Sequence, residues 1–231
     1  MFKKVLKDLE SKKNNKQAVI LSRFFKTGKG QYGEGDIFWG IKVPDQRITS
    51  KKFKELPLKD IQNLLDNKVH EVRLTGLFIL IERYNISDNK KEIFDFYLKN
   101  TRNINNWDLV DLSAPKILGD FLINNSKETK VLYNLVKSDN LWERRIAILS
   151  TFTFIKNNNF EETLKIAEIL LKDEHDLIHK SVGWMLREVG KKDKDSEKDF
   201  LNKYYRIMPR TMLRYSIEKF DSKEKEFYMK K

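Results

Sequence analysis

A spacing of about 35 residues constrains this chain more than any other feature. When its helix-like stretches are overlaid, Arg73, Asp111, Arg145, Lys180 and Arg214 fall at equivalent positions, separated by 38, 34, 35 and 34 residues. Residues 58–65, 72–84, 93–98, 131–136, 146–155 and 164–171 space their apolar side chains by three and four, the period of one helix face. The stretches between them, 85–89, 138–140, 157–159 and 172–173, are rich in Asn, Asp and Ser and read as caps and turns. No alternating strand pattern and no Asn-Gly hairpin signal stands out. A two-helix unit of this length cannot bury its apolar face alone and must stack on its neighbours. The predicted fold is therefore all-α: an α-solenoid of HEAT-like repeats forming one domain over 1–231. Within it, 1–57 would hold N-terminal helices and a Gly-rich loop, and 58–231 the two-helix repeats.

In such a stack the second helix of each repeat lines a concave face, so the five marked positions are expected in one groove. Each of the first four is followed within three residues by a small side chain, where a neighbouring helix can approach. Four of the five are cationic and Asp111 is the exception. The chain as a whole carries 46 Lys+Arg against 34 Asp+Glu, a net charge of +12. Two thirds of that excess, +8, lies in residues 1–60. Such a balance serves solubility or a polyanionic partner, since clustered cations displace counterions from phosphate backbones.

The absence of cysteine excludes disulfide scaffolds, thiolate zinc sites, iron–sulfur clusters and Cys nucleophiles. Charges interrupt the N-terminus before an apolar core of a signal peptide could form, and no apolar run approaches the roughly 20 residues of a membrane helix. The expectation is a soluble, cytoplasmic protein, monomeric, with no membrane association, no metal and no cofactor.

Two motifs are weaker than they look. Gly28-Lys29-Gly30-Gln31-Tyr32-Gly33 has the glycine spacing of a dinucleotide loop but lacks the preceding strand and following helix. It reads as a loop that needs positive φ, and its Lys26, Lys29 and Tyr32 suit a phosphate contact. His175 and His179 lie one helical turn apart, yet no third ligand accompanies them; they read as a satisfied or solvent-facing pair.

The tryptophans carry more. Trp107 and Asp111 are four residues apart and share a helix face. An aromatic ring beside a carboxylate, in a groove of cations, suits a cationic ligand better than a core.

Several blocks together resemble one family. They are Gln31-Tyr32-Gly33-Glu34-Gly35-Asp36, Gly40-Ile41-Lys42-Val43-Pro44-Asp45-Gln46-Arg47, Asn106-Trp107-Asp108-Leu109-Val110-Asp111, Trp142-Glu143-Arg144-Arg145-Ile146-Ala147-Ile148-Leu149 and Gly183-Trp184-Met185-Leu186-Arg187-Glu188. In order and at the repeat spacing, they resemble the DNA alkylation repair enzymes of the AlkD type, HEAT-like-repeat DNA glycosylases. The resemblance spans nearly the whole chain. It implies excision of cationic alkylpurines, of the 3-methyladenine and 7-methylguanine type, from double-stranded DNA in base excision repair. It places the family's essential Trp-x-x-x-Asp pair on Trp107 and Asp111, its groove arginine on Arg145 (with Arg144 the adjacent alternative), its second tryptophan on Trp184 and a phosphate contact on Arg187. Lys180 and Arg73, from the repeat register, join Arg144 and Lys29 as expected DNA contacts. A third groove aromatic of the family has no match by residue, and Phe24, Phe25 and Tyr32 are its candidates. The alternative reading is a non-catalytic HEAT-repeat nucleic-acid-binding protein; a protein–protein scaffold is a third.

Overall fold

The computed structural model describes residues 1–230. Among them the regular structure is helical, apart from one isolated bridge between Ile37 and Val69. The chain divides into two compact units, Met1–Ser113 and Ala114–Lys231. The boundary falls at the end of a helix rather than near residue 57.

The first unit contains α1 (Phe2–Glu10), α2 (Asn15–Phe24), α3 (Val43–Lys52), α4 (Leu58–Leu65), α5 (His70–Ile86), α6 (Lys90–Lys99) and α7 (Trp107–Ala114). The patterns at 58–65, 72–84 and 93–98 are the cores of α4, α5 and α6. Asn89 begins α6 as the sequence suggests, its side chain accepting from the Glu92 backbone N–H and satisfying one of the orphan donors of the first turn. Helix α4 turns Ile61, Leu64 and Leu65 inward, each burial stabilising by about 1.5–3 kcal/mol. Helix α5 is buried on every side from His70 to Ile81. Helix α6 is tied to α7 through the Tyr97 hydroxyl, 2.8 Å from Ser113 Oγ.

Helix α2 departs from this pattern. None of its residues is buried, and Val19, Ile20 and Phe24 are more than half exposed. Its start is held by Asn14, which accepts from the Gln17 N–H.

The second unit opens with a π-helical turn, Pro115–Gly119, where Pro115 lacks the N–H a regular helix would use. It continues with α8 (Asp120–Asn124), α9 (Lys130–Leu135), α10 (Leu141–Lys156), α11 (Glu161–Ile169), α12 (Asp176–Gly190), α13 (Lys194–Tyr204), α14 (Arg210–Ser216) and α15 (Ser222–Met229). Asn140 caps α10 by accepting from Trp142 N–H. Asn158 follows α10 at φ 57°, a left-handed conformation that Asn tolerates. Gly183 shows why the register position is followed by a small residue. A Cβ there would stand 2.4 Å from the Met212 carbonyl oxygen, so glycine alone lets α12 lie this close to α14.

The repeat register is real at the level of each helix. Asp111, Arg145, Lys180 and Arg214 are each the fifth residue of α7, α10, α12 and α14, and Arg73 is the fourth of α5. No helix among the described residues is long and apolar enough to cross a membrane.

Candidate active site

Helix α7 begins where Asn106 uses its side-chain oxygen to accept from the Trp107 N–H at 2.8 Å. Trp107 and Asp111 then lie one turn apart, both partly exposed. The indole is held from the N-terminal side. Phe25 stacks on it at 5.1 Å between centroids and 21° between planes, and Phe24 meets it edge-on at 5.8 Å. Of the three candidate aromatics, the structure thus brings Phe24 and Phe25 to Trp107. Asp111 is near enough to the buried Tyr97 hydroxyl that, after burial itself, its charge helps push that hydroxyl up from its ordinary value.

Behind Trp107 lies a polar network. His70, 1% exposed, bridges two carboxylates: Nδ1 is 3.0 Å from Asp36 and Nε2 is 2.9 Å from Asp108. Burial pulls the imidazole down, but Asp108 and then Asp36 hold it up at about 9. Near neutrality His70 is therefore an imidazolium donating from both nitrogens. Asp36 is in turn reached by Arg73 at 2.6 Å. Burial opposes its ionised form, and His70 and Arg73 hold its carboxyl below the usual range. The neighbouring Glu71 accepts from the backbone N–H groups of Trp39, Gly40 and Ile41 at 2.7–3.2 Å. Gly40 sits at φ 77°, and a Cβ there would stand 2.0 Å from the Asn14 carbonyl oxygen. Together these groups clamp residues 36–41 onto α5 and, through Asp108, onto the first turn of α7.

The expectation for Arg73 is corrected here. It does not face an open groove; it is 5% exposed, donating to Asp36 and to the Asn67 carbonyl. The Gly-rich segment brings Asp36 over it, so the cation is spent inside the unit. Lys29 is exposed in its loop.

In the second unit, Arg145 is also 5% exposed and donates to the Leu177 carbonyl at 2.5 Å. Arg144 pairs with Asp173 at 2.6 Å and donates to the Ser138 and Asp139 carbonyls. Trp184 lies partly exposed, its Nε1 donating to Glu188 at 3.1 Å and its ring 6.0 Å from Phe152. Arg187 pairs with Glu218 and, at 3.7 Å, with Glu188. Lys180 pairs with Asp176 at 2.7 Å. Each expected phosphate contact of this unit thus has an internal carboxylate or carbonyl partner, which a nucleic-acid phosphate would have to displace or share. His175 Nδ1 accepts from the Leu177 N–H, and His179 lies 2.5 Å from the Asp173 carbonyl; both begin α12.

The profile of the family described as "DNA alkylation repair enzyme" matches residues 5–220. The chain belongs to this family. A solved "Predicted DNA alkylation repair enzyme" from Enterococcus faecalis is 17% identical, covering 91% of this chain and 98% of its own, at a TM-score of 0.74. AlkD2 from Streptococcus mutans is 20% identical over 90% of this chain and 98% of its own, at a TM-score of 0.59. Both share the all-helical repeat fold. No curated protein sequence matches the chain significantly.

Within this alkylation repair family member, sequence reasoning missed the network behind Trp107. His70 belongs to no local motif, and the adjacent Glu71 turns instead to the backbone N–H groups of residues 39–41. The partners of His70, Asp36 and Asp108, lie 34 and 38 residues away. The signal available was the Gln31–Asp36 block itself, whose acidic end is fixed by α5.

Proposed function

We propose that the chain is a monofunctional DNA glycosylase, hydrolysing the N-glycosidic bond of cationic alkylated purines in double-stranded DNA. The observation that carries this reading is the Trp107–Asp111 pair: an accessible indole, braced by Phe24 and Phe25, one helical turn from a carboxylate. A purine alkylated at N3 or N7 already carries positive charge, so it departs without protonation. As the C1′–N9 bond breaks, its electron pair neutralises the purine and positive charge builds on the deoxyribose. Asp111 stabilises that charge and orients the attacking water, whose oxygen bonds to C1′ and whose proton the carboxylate accepts. Trp107 offers its π face to the cationic base, an interaction of about 0.5–2 kcal/mol. Trp184 and Arg145 join them as site residues by family resemblance. Lys180, Arg144, Arg187 and Lys29 are assigned to the DNA backbone. No metal or cofactor is needed for this chemistry.

The test is release of 3-methyladenine and 7-methylguanine from methylated duplex DNA. The wild type releases both, and Asp111→Asn lowers the rate by about 100-fold or more. Full activity in that variant rejects the mechanism. Salt-sensitive DNA binding without any base release by the wild type selects the non-catalytic reading.

A further inference from the structure

The geometry points to a second nucleic-acid site, a platform for an unpaired deoxynucleotide, formed by residues 205–210 and the C-terminal helix α15. It rests on membership of a DNA repair family and is independent of the glycosylase reading.

The loop after α13 and the end of α15 enclose an open cavity of about 580 Å³, within the roughly 300–1,000 Å³ range of small-ligand clefts. Its floor is aromatic. Tyr205 and Phe227 lie 5.9 Å apart at 31°, and Tyr228 meets Tyr205 edge-on at 5.5 Å and Phe227 edge-on at 5.1 Å. Phe227 is 56% exposed, a large apolar ring left partly to solvent. Its rim is cationic, formed by Arg206, Arg210 and Lys230. Arg206 lies 5.6 Å from the Tyr205 ring and donates to the Tyr205 hydroxyl, and Arg210 donates to the Met229 carbonyl. These bonds fix the guanidinium groups while leaving further donors for a ligand. Glu226, the acid beside the rim, is neutralised by Lys230 at 2.9 Å.

An exposed aromatic ring flanked by arginines fits a base that stacks and a phosphate that pairs, the combination used for single-stranded nucleic acid. A paired base within a duplex offers no free face to Phe227, so the site selects an unpaired nucleotide. Phe227, Tyr228 and Lys230 lie outside residues 5–220 matched to the family.

The experiment compares the full chain's binding to undamaged duplexes, blunt or carrying a single-stranded tail of about six thymidines, by fluorescence anisotropy. Expected is tighter binding of the tailed duplex by about ten-fold, the size of one stacked base. Phe227→Ala and the double variant Arg206→Gln/Arg210→Gln should each erase most of that difference while leaving blunt-duplex binding and thermal melting unchanged. Equal affinity of the wild type for tailed and blunt duplexes overturns the proposal. So does a tail preference that survives in both variants, and so does tighter binding of an RNA tail than of the DNA tail.

Discussion

Both units bury acidic side chains, but whereas the first pairs those beside α5, the second, which pairs Asp173 with Arg144, leaves one without a donor. In the first, Asp36, Asp108 and Glu71 are surrounded by donors: His70, Arg73 and three backbone N–H groups. In the second, Glu197 is 2% exposed, and its Oε1 has no hydrogen-bond partner. Burial pushes its carboxyl up to about 8, against the pull of Lys194 and Arg187. Asp36, buried with donors, is held below the usual carboxylate range; an acid buried without them takes a proton instead. The paired cluster underlies the first turn of α7, which carries Trp107, with Asp111 one turn further on.

The comparison is tested hardest at its centre. His70→Ala leaves Asp36 and Asp108 buried without their shared cation, and should destabilise the fold by about 3–5 kcal/mol, as removal of one partner from a buried ionic cluster does. Urea denaturation measures it. A loss below about 1 kcal/mol would mean the cluster is not paired as described. Linkage gives an independent check. The histidine is held at about 9 in the fold against about 6.5 unfolded. Its contribution, on the order of 3 kcal/mol, is therefore fully present below pH 6.5 and lost as pH rises through 9. That part of the stability slope should vanish in the alanine variant.

Glu71→Gln is the next step down. The amide keeps one oxygen near the N–H groups of residues 39–41 but loses the charge that strengthens those bonds. About 2 kcal/mol of destabilisation is expected in the same denaturation experiment. A neutral result would assign the clamp on residues 36–41 to Asp36, with its His70 and Arg73 partners, and to the close approach at Gly40.

How much of this was legible beforehand depended on where the partners lie in the chain. Helices α4, α5, α6, α9, α10 and α11 announce themselves by local apolar spacing, and the register of Asp111, Arg145, Lys180 and Arg214 within their helices follows from the same arithmetic. Helix α2 was not legible, because it buries nothing and so leaves no periodic trace. Arg73 sits in register with the others but ends up inside, since Asp36 reaches it from a loop 37 residues earlier. The same long-range closure hides His70. A residue's face can be read from its own helix; what covers that face cannot. The Trp107–Asp111 pair was legible because both members share one helix, and Phe24 and Phe25, which brace it, stood with Tyr32 among the candidates for an N-terminal aromatic that the family resemblance implies.

The smallest effect tests the other side of the comparison and has the opposite sign. Glu197→Gln replaces an acid that the fold prefers neutral with a neutral side chain of the same shape. It introduces no steric cost beside Gly190, against which the carboxyl already lies: a Cβ at Gly190 would stand 1.6 Å from Glu197 Oε2. The folded chain keeps the Glu197 proton up to about pH 8, whereas the unfolded chain releases it near pH 4.5. Between those values the native state binds more protons, so stability falls as pH rises. Glutamine removes that slope. The variant should therefore match the wild type near pH 4 and exceed it by about 1.4 kcal/mol at pH 5.5, one unit above the unfolded value, read from urea midpoints at the two pH values. His70 contributes a slope of the same sign over a higher window, 6.5 to 9, so the two are separated by where the curves diverge. If Glu197→Gln is instead less stable than the wild type at pH 5.5, the carboxyl is ionised and paired, and the contrast between the two units fails.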